Sequence, residues 1–101
     1  MHPSSNKLYI LVDRTLSKPQ QAVQACHAAA EFALKYGKEW THESLVLLAV
    51  ENHETLESWY DWFDNQPYYK YIGFREPHYG NRMTAVACYG CDKDVDELTL
   101  L

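Results

Sequence analysis

Two short apolar runs, Lys7 to Val12 (KLYILV) and Ser44 to Val50 (SLVLLAV), each lead into a stretch of helical periodicity. This repeated alternation constrains the fold more than any other feature of the chain. Runs of this length, rich in β-formers, read as buried strands. After the first, Ser17 followed by Gln20 fits a capping box, and Pro19 is tolerated in a first helical turn. Ala22, Ala25, Cys26, Ala29, Ala30 and Ala33 then recur at helical spacing as far as Tyr36, before a stop at Gly37. So many small residues predict a helix lying close to a sheet. After the second run, Asn52 caps a helix in which Leu56, Trp59, Tyr60 and Phe63 form an apolar stripe. Its other face is acidic, and Asn65-Gln66-Pro67 ends it. Tyr69 to Phe74 and Met83 to Tyr89 read as two further strands, separated by Glu76-Pro77-His78-Tyr79-Gly80-Asn81. The order βαβα followed by ββ predicts an α/β fold, three-layer α/β/α, with a mixed sheet of about four strands. One domain over 1–101 is expected, with 1–6 as a flexible tail.

At 101 residues the chain has room for one core. Its longest apolar run, Leu45 to Val50, falls far short of the roughly 20 residues that span a bilayer. Met1 to Lys7 is polar, without the apolar centre of a signal peptide, so a cytoplasmic location and no membrane partner are expected. The three cysteines make no disulfide framework. Cys26 in its alanine-rich helix reads as a small apolar side chain, and the Cys88/Cys91 pair lacks the two further ligands zinc would want. Four glycines form neither a dinucleotide fingerprint nor a phosphate loop. Neither metal nor cofactor is expected. The formal charge of −5 speaks against a generic nucleic-acid binder. The acids, however, concentrate at Glu51, Glu54, Glu57, Asp61 and Asp64 and at Asp92, Asp94, Asp96 and Glu97, while Arg14, Lys18, Arg75 and Arg82 fall near strand ends and a helix start. Local charge decides where a phosphate can dock.

The stretch from Lys18 to Phe32, KPQQAVQACHAAAEF, carries the chemistry. At helical spacing Gln20, Gln24 and His27 fall on one stripe roughly 60° wide, three polar groups on an alanine-rich helix. The stretch resembles the type II peptidyl-tRNA hydrolase family, whose first helix carries K-G-K-x-A-A-Q-x-x-H-A. Lys18, Ala22, Gln24, His27 and Ala28 stand at its Lys, Ala, Gln, His and Ala. Leu8 to Val12 is similar to the strand before that helix. Leu45 to Val50 and the acidic helix match the second strand and helix, and Val95 to Leu101 resembles a leucine-rich C-terminal segment. Met83 to Gly90 is similar to the strand the family writes T-V-L-A-I-G, which puts Thr84 on its threonine. Two positions depart. Gln20 replaces the family's second lysine, the one the family uses in catalysis, and Glu76-Pro77-His78-Tyr79-Gly80 replaces a D-A-G-x-T loop; Glu76 stands in for the aspartate if the loop is shortened, and the loop threonine has no counterpart.

The resemblance implies hydrolysis of the ester joining a peptide to the 3′ end of tRNA. That reaction needs an activated water and a stabilised oxyanion. Lys18, His27, Glu76 and Thr84 are then the candidate catalytic residues, with His27 as base or orienter and Glu76 as its carboxylate partner. Gln20, Gln24, Arg14 and Arg82 are candidates for substrate binding. Lys18 sits about 160° from Gln20 in helical phase, so only its long stem would bring the ammonium to the stripe. For Glu76 the competing reading is a surface ion pair with Arg75 or Arg82. The partner implied is tRNA, with homodimerisation left open. The alternative is a non-catalytic module on the same fold, holding an RNA end or an anionic ligand at the first helix's N-terminus. Convergence of Lys18, His27, Glu76 and Thr84 on one cleft would favour a site, and their scatter would leave neither reading standing.

Overall fold

A computed structural model describes residues 7–37, 40, 44–66 and 68–101. The tail expected at 1–6, and Pro67 of the second helix stop, lie outside the described residues. The chain is α/β, with a mixed five-stranded sheet in the order β3-β4-β1-β2-β5. The elements are β1 (Lys7–Asp13), α1 (Lys18–Tyr36), β2 (Ser44–Val50), α2 (His53–Asp64), β3 (Lys70–Glu76), a short 3₁₀ turn (Pro77–Tyr79), β4 (Arg82–Tyr89), α3 (Asp92–Val95) and β5 (Thr99–Leu100). Among the described residues no helix is long and apolar enough to cross a membrane.

The apolar run at the start of the chain becomes the central strand. β1 pairs parallel with β2 and antiparallel with β4. Because successive side chains point to opposite faces, β1 feeds two separate cores. Leu8, Ile10 and Val12 pack with Ala25, Ala28 and Phe32 of α1. Tyr9 and Leu11 pack with Leu56 and Phe63 of α2. A strand covered this way reads as an unbroken apolar run.

The expected count of about four strands is corrected to five. The closing leucine-rich segment bends back as Thr99–Leu100 beside Ala49 and Leu48, and the Leu101 N–H donates to the Leu47 carbonyl at 3.0 Å. Two residues of β-structure fall below what a periodicity of two can reveal.

The face of α1 is corrected as well. Its buried residues are Gln21, Gln24, Ala25, Ala28 and Phe32, whereas Cys26 is exposed and so are Ala22, Ala30 and Ala33. Alanine gains little by burial and tolerates water, so an alanine row does not orient a helix. Phe32 does, because burying a large aromatic side chain contributes far more. At the helix start Ser17 Oγ accepts from the Gln20 N–H at 3.3 Å, as the capping residue should. The Gln20 side chain does not return to the cap; it accepts from Gln24.

Two local features shape the end of the sheet where the polar stripe lies. β3 runs on to Glu76, which pairs with Arg82 and is buried. Between β3 and β4 the register jumps, from Phe74 opposite Ala85 to Arg75 opposite Met83. Thr84 is therefore the extra residue of a bulge, which re-aims a side chain. Met83 enters the α2 core and Ala85 the α1 core, and the bulge leaves Thr84 turned with Ala85 toward α1. Close packing on the other face fixes Gly73. A Cβ there would meet the Tyr60 ring at 2.7 Å and the Met83 methyl at 2.6 Å, so any side chain would have to displace both.

Candidate functional site

The polar stripe of α1 faces the strand end that the bulge reshapes. Gln24 is fully buried and works through both ends of its amide. Its Nε2 donates to Glu76 Oε1 at 2.8 Å and to Gln20 Oε1 at 3.3 Å, while its Oε1 accepts from Thr84 Oγ1 at 2.6 Å. One helix and two strands are thus joined by a chain of hydrogen bonds between residues 52 and 60 positions apart in sequence. Each side-chain polar atom of Gln24, Glu76 and Thr84 has a partner, which is what makes such a network tolerable in a core.

Glu76, itself buried, ends this hydrogen-bonded series beneath the exposed His78. Its Oε2 accepts from the backbone N–H of His78 at 3.1 Å and lies 3.1 Å from the ring Nδ1 of the same residue. Pro77 begins the 3₁₀ turn that brings His78 back over the carboxylate, and Gly80 and Asn81 close the turn in the left-handed region at φ 67° and 63°. The Gln24 amide, then the His78 N–H and ring, hold the Glu76 carboxyl down at about 2, from an ordinary 4.5. Partial burial opposes this and loses. Glu76 is therefore ionised at neutral pH. Neither Arg75 nor Arg82 supplies its counter-charge. Arg75 forms a two-pronged pair with Glu57 of α2 at 2.6 and 2.8 Å, and Arg82 lies over the Tyr79 ring at 5.6 Å.

A depressed carboxyl is also a statement about stability. The native state prefers the ionised form more strongly than the unfolded chain does, so the contribution is complete above pH 4.5 and is lost as pH falls toward about 2. Glu76→Gln should consequently be less stable than the parent at neutral pH, with the gap closing across that window. Urea unfolding at a series of pH values checks it. A gap independent of pH would mean that the carboxylate charge is not what the network holds.

Above these residues lies a cleft of about 420 Å³, lined by Gln20, Val23, His27, Phe74, Glu76, Pro77, His78 and Tyr79. His27 is exposed and stacks flat on Phe74, with ring centroids 4.6 Å apart and planes 7° from parallel. Glu76 takes His78, not His27, as its imidazole partner. Lys18 lies elsewhere. With Arg14 and Gln21 it lines a separate cleft of about 260 Å³ beside Thr99, Leu100 and Leu101. The structure thus brings Gln20, Gln24, His27, Glu76 and Thr84 together, sets Arg82 at their border through Tyr79, and keeps Lys18 and Arg14 apart. None of the described residues lining the larger cleft is Lys or Arg.

No family model matches this chain, and no curated protein matches its sequence. The chemistry of the cleft rests on its own residues. It combines an ionised, immobilised carboxylate with an imidazole whose Nδ1 faces that carboxylate. A second imidazole on an aromatic shelf and a primary amide complete the lining. A carboxylate that accepts from Nδ1–H fixes the tautomer and leaves Nε2 basic. Sequence reasoning passed over His78. The signal was present in Glu76-Pro77-His78, since a proline with fixed φ between two such residues favours a turn that folds the second over the first.

Proposed function

We propose that the chain is an ester hydrolase of the peptidyl-tRNA hydrolase type, acting in the cleft between α1 and the β3–β4 corner on the ester between a peptide and the 3′ end of tRNA. The observation that carries this reading is the convergence of Gln24, Glu76 and Thr84, from three elements, beneath a cleft that His27 and His78 border. The resemblance of Lys18, Ala22, Gln24, His27 and Ala28 to that family's first helix supports it from the sequence side. A three-layer α/β/α arrangement belongs to the same reading.

In this mechanism Glu76 holds His78 Nδ1–H, and Nε2 takes a proton from water as the oxygen attacks the ester carbonyl. The Gln20 amide, tied to Gln24, offers a donor to the oxyanion that forms. When the tetrahedral intermediate collapses, the imidazolium returns its proton to the departing ribose oxygen. Gln24 and Thr84 act at one remove, by fixing the carboxylate. The flat His27–Phe74 stack is a shelf for the terminal base of the RNA, since base stacking on aromatic rings needs no particular sequence.

One feature favours the second reading, a module that holds an RNA end without cleaving it. The described lining of the cleft offers no fixed cation for the oxyanion. Peptidyl-tRNA and free amino-acid esters, each incubated with the protein, separate the two. Cleavage of peptidyl-tRNA that exceeds cleavage of the free esters is the expected outcome. Binding of tRNA without turnover would leave the module, and neither binding nor turnover would end the connection with RNA.

A further inference from the structure

The α2 side of the molecule holds a second cleft that the ester-hydrolase reading does not use. It measures about 310 Å³ and is lined by Thr55, Ser58, Trp59, Trp62 and Asp94. Trp59 and Trp62 are one helical turn apart and meet edge to face, with centroids 6.3 Å apart and planes at 78°. They form two walls of a corner. Trp59 is backed by Phe63 at 5.7 Å and Trp62 by Tyr69 at 6.0 Å, so neither ring is free to collapse inward. The third wall is a carboxylate. The Tyr69 hydroxyl donates to Asp94 Oδ2 and so anchors Asp94 beside the indoles. Trp62 remains 40 % exposed, which is a large aromatic surface to leave to water in so small a domain.

Ring faces alone would accept either a nucleobase or a cation, and the surrounding charge decides between them. The segments that build this cleft, residues 51–64 and 92–97, carry nine of the chain's fourteen Asp and Glu residues and one lysine, Lys93. A phosphate-bearing ligand is repelled here. A positive charge is drawn by the field, by the Asp94 carboxylate and by the negative faces of the indoles together. Among the lining residues there is one carboxylate, which does not suit a hard metal ion demanding several oxygen ligands. Aromatic walls suit a cation that wears an apolar shell.

We propose that this corner is a binding site for a small alkylated ammonium compound, its methyl groups against Trp59 and Trp62 and its charge beside Asp94. The volume sits at the small end of ligand pockets and fits a single headgroup. This inference is independent of the ester-hydrolase reading.

Choline tests it, against its uncharged carbon isostere in which a tert-butyl group replaces the trimethylammonium. Indole fluorescence and the indole N–H resonances follow the titration on the whole chain. Choline is expected to saturate in the millimolar range and to shift the Trp59 and Trp62 resonances. The isostere should bind roughly tenfold more weakly, as loss of a cation–aromatic contact requires. Asp94→Asn, which keeps an acceptor for Tyr69, should weaken choline by about five- to tenfold, and Trp62→Leu by a similar factor. Should Trp62→Leu fail to fold, Asp94→Asn with the isostere decides alone. Equal binding of choline and isostere would overturn the proposal, as would an absence of saturation. Displacement of choline by a short single-stranded RNA would overturn it too, since the corner would then be a base-stacking surface.

Discussion

His78→Ala is expected to lower the rate of peptidyl-tRNA cleavage by about a hundred- to ten-thousandfold, the range a positioned general base supplies. Its melting temperature should barely move. The ring is 91 % exposed, and the backbone N–H that caps Glu76 survives the substitution. That separation is what makes the variant informative, because a residue acting only on folding cannot lose its rate and keep its stability. His27→Ala is the internal comparison. A ring that stacks on Phe74 and meets no carboxylate should change KM more than kcat. Retention of full activity by His78→Ala would remove the base from the mechanism, and loss in His27→Ala alone would transfer the role to the other imidazole.

The second large effect is structural. Phe32 is fully buried between α1 and the sheet, in contact range of Tyr36 at 4.9 Å and Tyr89 at 6.2 Å between ring centroids. Phe32→Ala should cost about 3–5 kcal/mol, from lost burial and the cavity left behind. For a domain of this size that corresponds to a fall in Tm of roughly 15–30 °C. Calorimetry or circular dichroism reads it directly. Leu34→Ala, on the exposed side of the same helix, should show almost nothing. If the two positions behaved alike, α1 would be rotated from the face described, and Gln24 would no longer point at Glu76.

That rotation is also where sequence reading reached its limit. The stripe of Gln20, Gln24 and His27 is legible because polar residues at helical spacing are informative whatever the helix packs on. The buried face is not legible from alanines, whose transfer energies barely distinguish core from water. Runs rich in β-formers located β1, β2, β3 and β4, but such runs carry no sign of the bulge at Thr84, which slips the pairing by one residue and decides which face the hydroxyl meets. Nor does periodicity reveal that β3 continues to Glu76. The carboxylate is buried only because Gln24, far away in sequence, arrives to meet it. The pairing of Glu76 with His78 is local, and chain chemistry around a proline could have suggested it. The separation of Lys18 from the cleft agrees with its helical phase, about 160° from Gln20.

The turning of α1 has a chemical consequence. Cys26 faces solvent on the helix side opposite Gln24, whereas Cys88 and Cys91 are fully buried and unpaired, and burial holds the Cys88 thiol well above the range in which thiolates form. Only the thiolate attacks an alkylating reagent. A maleimide dye under native conditions therefore modifies one position on the outer surface of the helix whose inner surface builds the cleft. The two silent thiols respond when the sheet opens. Counting modified sulfurs with time turns the cysteines into a clock for global unfolding, and the dye at Cys26 reports on α1 throughout.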